Sequence, residues 1–94
     1  MFNKLKQIQD LKSQASQIKK ALAEESVEGV GGKDNVKVTM DGNQEVTKVE
    51  INDELLNNKE DLQKAIAEAT NDAIKKVQRV MAQKMTQMGG FPGL

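Results

Sequence analysis

Cysteine and histidine are both absent from this sequence, and so are tryptophan and tyrosine. Without cysteine there is no disulfide and no thiol nucleophile. Without histidine, the commonest general base and the commonest metal ligand are lost together. The two phenylalanines, Phe2 and Phe91, sit near the chain ends, so the core has to be built from Val, Ile, Leu, Met and Ala. No apolar run approaches the roughly 20 residues of a membrane helix. The N-terminal lysines are followed by no apolar segment of the kind that drives export. The expectation is an intracellular protein with no membrane partner.

What is present fits one domain, spanning 1–94. A polar chain with a small aliphatic core is marginal alone, and oligomerisation is a common remedy. Residues 3–25 read as a helix, with apolar residues at Leu5, Ile8, Leu11, Ala15, Ile18 and Leu22. The last four follow the spacing of a coiled-coil seam. Glycines 29, 31 and 32 mark the stop.

The centre reads as β. "NVKVTMDG" alternates Val36, Val38 and Met40 with Lys37, Thr39 and Asp41. "DGNQ" is a turn, with Gly42 available for positive φ. "EVTKVEIND" puts Val49 and Ile51 in register and Val46 out of phase, which predicts a bulge near Thr47. "SVEGV" is a weaker third strand. Asn57 or Asn58 then caps a helix over about 59–87, with Glu60 and Asp61 in its first turn, where the helix dipole favours acids. "GGFPGL" reads as a flexible tail over 89–94. The fold class is α+β: a long N-terminal helix, a small antiparallel sheet of two or three strands, and a long C-terminal helix. So small a sheet cannot cover both helices along their length, which implies a dimer.

The stretch "ATNDAIKKVQ", Ala69 to Gln78, breaks the apolar rhythm of the last helix. With Val77 taken as the centre of the buried face, Ile66, Ala73, Val80 and Thr70 fall on it. Asp72 falls on the opposite side, four residues before Lys76, the orientation of a surface ion pair. Asn71 lies on the flank, in reach of water or a strand edge. The packing set is then Leu11, Ala15, Ile18 and Leu22 on the first helix, and Ile66, Ala69, Thr70, Ala73, Val77, Val80 and Met81 on the second. Met81, Met85 and Met88 extend it as core or seam. Nothing in the stretch looks catalytic: Asp72 has no histidine, cysteine or second carboxylate arranged to activate it. "GVGG" lacks the Lys-Ser/Thr of a phosphate loop. The carboxylates Asp41, Glu45, Glu50, Asp53 and Glu54 have no metal-loop spacing. No enzymatic activity, cofactor, metal or small-molecule substrate is expected.

The formal net charge is zero, but it is unevenly spread. Residues 1–20 carry five lysines against one aspartate, a balance of +4. Residues 21–74 carry five lysines against thirteen acids, a balance of −8. Residues 75–94 carry three lysines and one arginine with no acid, again +4. Cations near a helix C-terminus compensate its dipole, but Lys4 and Lys6 at a helix start oppose it. Spaced cations on projecting helices suit sequence-tolerant contact with duplex phosphates. The lack of aromatics argues against a single-strand platform. Two readings stay open from the residues alone: a double-stranded DNA binder, and a protein-interaction clamp or scaffold using the helix seams.

The order of segments resembles the YbaB/EbfC family of bacterial nucleoid-associated proteins. "MF" before a Gln- and Lys-rich helix, "VKVTMDG", "VEINDELL", "ATNDAIKKV" and "GGFPGL" carry the resemblance across nearly the whole chain. The chain departs in having Glu54 or its neighbour where the family often has proline, and in the few methionines of its first helix. The resemblance implies an intertwined, tweezer-like homodimer, cytoplasmic and nucleoid-associated, binding DNA through helical arms. On this sequence the arm positions are Lys4, Lys6, Lys12, Lys19, Lys20, Lys75, Lys76, Arg79 and Lys84.

Overall fold

The computed structural model describes the backbone of residues 4–87 and the side chains of residues 10–87. The elements are α1 (Lys4–Ala23), β1 (Ser26–Gly31), β2 (Val36–Asp41), β3 (Val46–Ile51), a short 3-10 turn (Asp53–Leu55) and α2 (Lys59–Gln87). The strands form one antiparallel sheet in the order β1-β2-β3. Met88 and the expected tail lie outside the described residues.

The alternation in β2 puts Val36, Val38 and Met40 on the face under α2, at 0%, 1% and 2% exposure. Their partners on β3 are Ile51, Val49 and Val46. Between the pairs Thr39–Lys48 and Met40–Val46 the register shifts, so Thr47 is the extra residue of the bulge read from the sequence. That extra residue brings Val46 back to the apolar face.

α2 crosses β1 and β2 on four small side chains, Ala65, Ala69, Ala73 and Val77. They repeat every four residues, so the buried face centres on the alanines rather than on Val77. Leu62, Ile66, Ile74 and Met81 line this core half-buried. The alanines matter because β1 offers glycines beneath them. A Cβ on Gly29 would strike the backbone of Ala69 and Ala73, and one on Gly31 the backbone of Ala65 and Ala69. Helix and strand approach until their backbones nearly touch. Thr70 bends inward and donates its hydroxyl to the Ile66 carbonyl at 2.7 Å.

Asn58 is the cap of α2: its Oδ1 accepts the Asp61 N–H at 3.1 Å. In the β2–β3 turn the left-handed residue is Gln44, at φ 63°, not Gly42. Gly42 is needed for another reason. Its N–H donates to the Leu22 carbonyl at 2.8 Å, and a Cβ there would meet the backbone of Leu22. The turn therefore butts against the end of α1.

Candidate nucleic-acid interface

α1 is held to the body at its last turn. Leu22 is buried at 6% exposure, whereas Leu11 is 60% exposed, Ala15 is exposed and Ile18 is half-buried. The coiled-coil seam therefore closes at its inner end and lies open further out. The β2–β3 turn bonds to carbonyls in the last two turns of α1. Gly42 N–H serves Leu22, and the Asn43 side-chain amide donates to the Lys19 carbonyl at 3.0 Å. Beyond this joint α1 is an arm, and the described chain is drawn out to 67 × 20 × 18 Å.

The arm carries Lys12, Lys19 and Lys20, all exposed and none in an ion pair among the described residues. Lys12 and Lys19, two turns apart, share one side of the helix. Lys4 and Lys6 belong to its first turns, and their side chains lie outside those described.

The basic residues of α2 divide by the work they do. Lys75 and Arg79, one turn apart, are exposed and unpaired among the described residues. Lys84 is tied to Glu25 at 3.0 Å, linking α2 to the segment between α1 and β1. Lys76 is engaged most fully: its ammonium donates to the Glu28 carbonyl at 2.7 Å and pairs with Asp72 at 3.1 Å.

Asp72 corrects an expectation. It does not face away from the sheet. With the buried face centred on the alanines, Asp72 sits on the flank above the outer edge of β1, and its carboxylate accepts the Val30 N–H at 3.0 Å. One turn earlier, Glu68 accepts the Gly32 N–H at 3.0 Å. Asn71, the residue considered for a strand edge, is exposed. Glu68, Asp72 and Lys76 form a ladder on α2 that engages the Glu28 carbonyl and the Val30 N–H of β1 and the Gly32 N–H just beyond it. The bond from Val30, then the one from Lys76, holds the Asp72 carboxyl below its usual range. Sequence reasoning missed Glu68, Gly29 and Gly31. The available signal was the four-residue spacing of Glu68, Asp72 and Lys76 alongside Ala65, Ala69 and Ala73.

Among the described residues no group of three or more Asp, Glu, His or Cys is placed to hold a metal ion. No described helix is long and apolar enough to cross a membrane.

This helix–sheet–helix arrangement is similar to that in the crystal structure of an uncharacterized protein from Helicobacter pylori. The TM-score is 0.69 and the identity 26%, over 86% of this chain and 96% of that one. The family model for the YbaB/EbfC DNA-binding family matches residues 1–91. With nearly every residue inside that match, the chain belongs to the YbaB/EbfC family of DNA-binding, nucleoid-associated proteins.

Proposed function

We propose that this protein is a non-enzymatic, cytoplasmic homodimer that coats double-stranded DNA of the nucleoid with little sequence preference. The observation that carries the reading is the arm: α1 leaves the body at Leu22 and holds Lys12, Lys19 and Lys20 in solvent without acidic partners among the described residues. Lys75 and Arg79 add a second exposed pair on α2. Lysines reach phosphates as point charges and carry no base information by themselves. Lys76 and Lys84, occupied by contacts within the chain, are secondary contributors.

The dimer is supported by what one chain leaves uncovered. All six residues of β3 are exposed, with Val46 at 49%, Val49 at 47% and Ile51 at 37%. These three share a face with the core residues of β2, yet α2 lies over β1 and β2 and stops short of them. A second copy covers this surface and joins the two sets of arms in an intertwined assembly. The exposed Leu11 and Leu56, at 60% and 61%, favour a second reading, a clamp for a protein partner.

The deciding experiment is a gel-shift salt series on unrelated duplexes, beside light scattering for mass. Affinity is expected to fall steeply with salt, with a log–log slope of about −0.9 per phosphate contacted. Triple reversal of Lys12, Lys19 and Lys20 to Glu should abolish the shift while the circular dichroism stays unchanged. Salt-independent binding, or none at low salt, overturns the DNA reading. A protein partner that survives nuclease treatment would then favour the clamp.

A further inference from the structure

The root of α1 is held by more bonds than a helix end needs. The Leu22 carbonyl accepts the Glu25 N–H at 3.1 Å and also the Gly42 N–H at 2.8 Å. The Lys19 carbonyl lies inside the last turn, where helical geometry already gives it the Ala23 N–H. It nevertheless accepts the Asn43 side-chain amide at 3.0 Å as well. A carbonyl has two lone pairs and can accept twice. Neither bond from the β2–β3 turn is therefore needed to cap α1.

The placement of the two bonds gives them another use. Lys19 and Leu22 are neighbours on one side of the helix, about 4.5 Å apart along its axis. Leu22, with its side chain buried, is a point of attachment about which the arm can pivot. The bond further out, at Lys19, turns that pivot into a bracket and fixes a direction. One other tie, the Lys84–Glu25 pair at 3.0 Å, lies beyond the last residue of α1 and does not grip the helix itself.

The turn that carries the bracket is built onto the sheet. Asp41 ends β2, and its N–H donates to the Glu45 carbonyl at 2.9 Å. Its carboxylate accepts the Asn43 N–H at 2.8 Å and the Glu45 N–H at 3.1 Å. Hydrogen bonds thus run without a break from β2 through Asp41 and Asn43 to the arm.

Direction matters because the arm is a lever. From Lys19 out to Lys4 is about 22 Å of helix. A swing of about 20° over that length moves the tip by about 8 Å, more than twice the roughly 3.4 Å axial step between phosphates of one strand.

We propose that Asn43, an uncharged residue of the body, is a positioning residue for DNA binding: its amide sets the direction of α1 and so places the arm lysines on the duplex. The proposal rests on the DNA reading above and adds what aims the arm.

Asn43→Ala in the full chain removes the amide and leaves Asp41 and Gly42 in place. Two spin labels report the direction of the arm. One is carried by Ser13→Cys on the exposed stretch of α1, the other by Asn71→Cys, exposed on the part of α2 that packs on the sheet. The chain has no other cysteine, and dilution with unlabelled chain keeps the measured distances within one copy. Asn43 should give one narrow distribution and Asn43→Ala a broader one. Duplex affinity at fixed salt should fall with it. If each arm is then correctly aimed about a third of the time, affinity drops about threefold per arm and about tenfold for two arms. The salt slope should stay unchanged, because the same lysines meet the same phosphates once the arm is aimed. A bond that only steadies the fold would lower the melting temperature and leave distances and affinity, both measured well below melting, as in wild type. That result, or a broadened distribution with unchanged affinity, overturns the assignment. A wild-type chain that binds no duplex at low salt overturns the DNA reading instead, and the two distance distributions still decide whether Asn43 aims the arm.

Discussion

The Asp72 carboxylate accepts the backbone N–H of Val30 at 3.0 Å, although 42 residues separate them in the chain. This bond and the Lys76 ammonium favour the ionised form, so the carboxyl is held below its ordinary value in the folded protein. A carboxyl depressed by folding stabilises the fold at pH above its unfolded value, about 3.9. That contribution disappears as the pH falls through the lower folded value. Thermal unfolding of wild type and Asp72→Asn should therefore differ at neutral pH, with the variant less stable. The gap should close in acid below about pH 4. A gap that stays constant down through the acid range would mean the charge of Asp72 does not matter.

Gly29 tolerates no side chain. Its absent Cβ is the space occupied by the Ala69 carbonyl and the Ala73 amide, and backbone cannot swing aside as a side-chain end can. Gly29→Ala should force α2 away from β1, at a cost near or beyond the upper end of the roughly 1–3 kcal/mol typical of overpacking. Urea unfolding would measure it. Serine at Gly29 should be at least as damaging. Alanine at Gly32, which also has a left-handed φ of 59°, should destabilise for a separate reason, backbone strain.

The β1–β2 hairpin holds Lys33 and Asp34 at φ 56° and 69°, consecutive left-handed residues with side chains. Asp accepts this conformation more readily than Lys does. Lys33→Gly should relieve the strain and raise stability by up to about 1 kcal/mol, since glycine's greater freedom in the unfolded chain offsets part of the gain. Lys33→Asn should fall between. A lower melting temperature for the glycine variant would show that the Lys33 side chain makes a contribution larger than the strain.

β2 was legible in the sequence because Val36, Val38 and Met40 alternate with polar residues and all three point into the core. The bulge at Thr47 was legible for the same reason, since Val46 fell out of phase with Val49. α2 was placed correctly, but its face was turned. Large apolar residues draw attention, and Val77 is the largest side chain of the four that are buried. The small alanines decide the face because they let the helix settle onto Gly29 and Gly31. That match of small residues across two elements leaves no hydrophobic pattern to read. Once the face is turned, Asp72 moves from the outer surface to the edge of β1. The bare state of β3 was not legible either. Val46, Val49 and Ile51 look like core residues, and only the path of α2 shows that one chain leaves them uncovered.

The joint between α1 and the β2–β3 turn should be separable from the core. Gly42 N–H and the Asn43 amide hold the last carbonyls of α1, while the sheet and α2 make their contacts elsewhere. Gly42→Ala should push Leu22 out of place. Amide exchange in α1 should rise throughout, with β2 and the middle of α2 still protected. Equal loss of protection in α1 and β2 would mean the arm and the core unfold as one unit.

Lys76 and Arg79 lie three residues apart, and a count of basic residues treats them alike. Their surroundings do not. Lys76 donates to the Glu28 carbonyl and pairs with Asp72, so removing it leaves the edge of β1 partly open. Arg79 is exposed and unpaired among the described residues. Arg79→Ala should leave the melting temperature unchanged within error and reduce the salt slope of DNA binding by about 2 per dimer, the loss of one phosphate contact from each chain. Lys76→Ala should lower the melting temperature and change the salt slope less. The pair of measurements assigns each residue by which quantity moves. If Lys76→Ala lowers the slope as much as Arg79→Ala while stability holds, then Lys76 leaves Glu28 on binding, and the edge contact yields to phosphate.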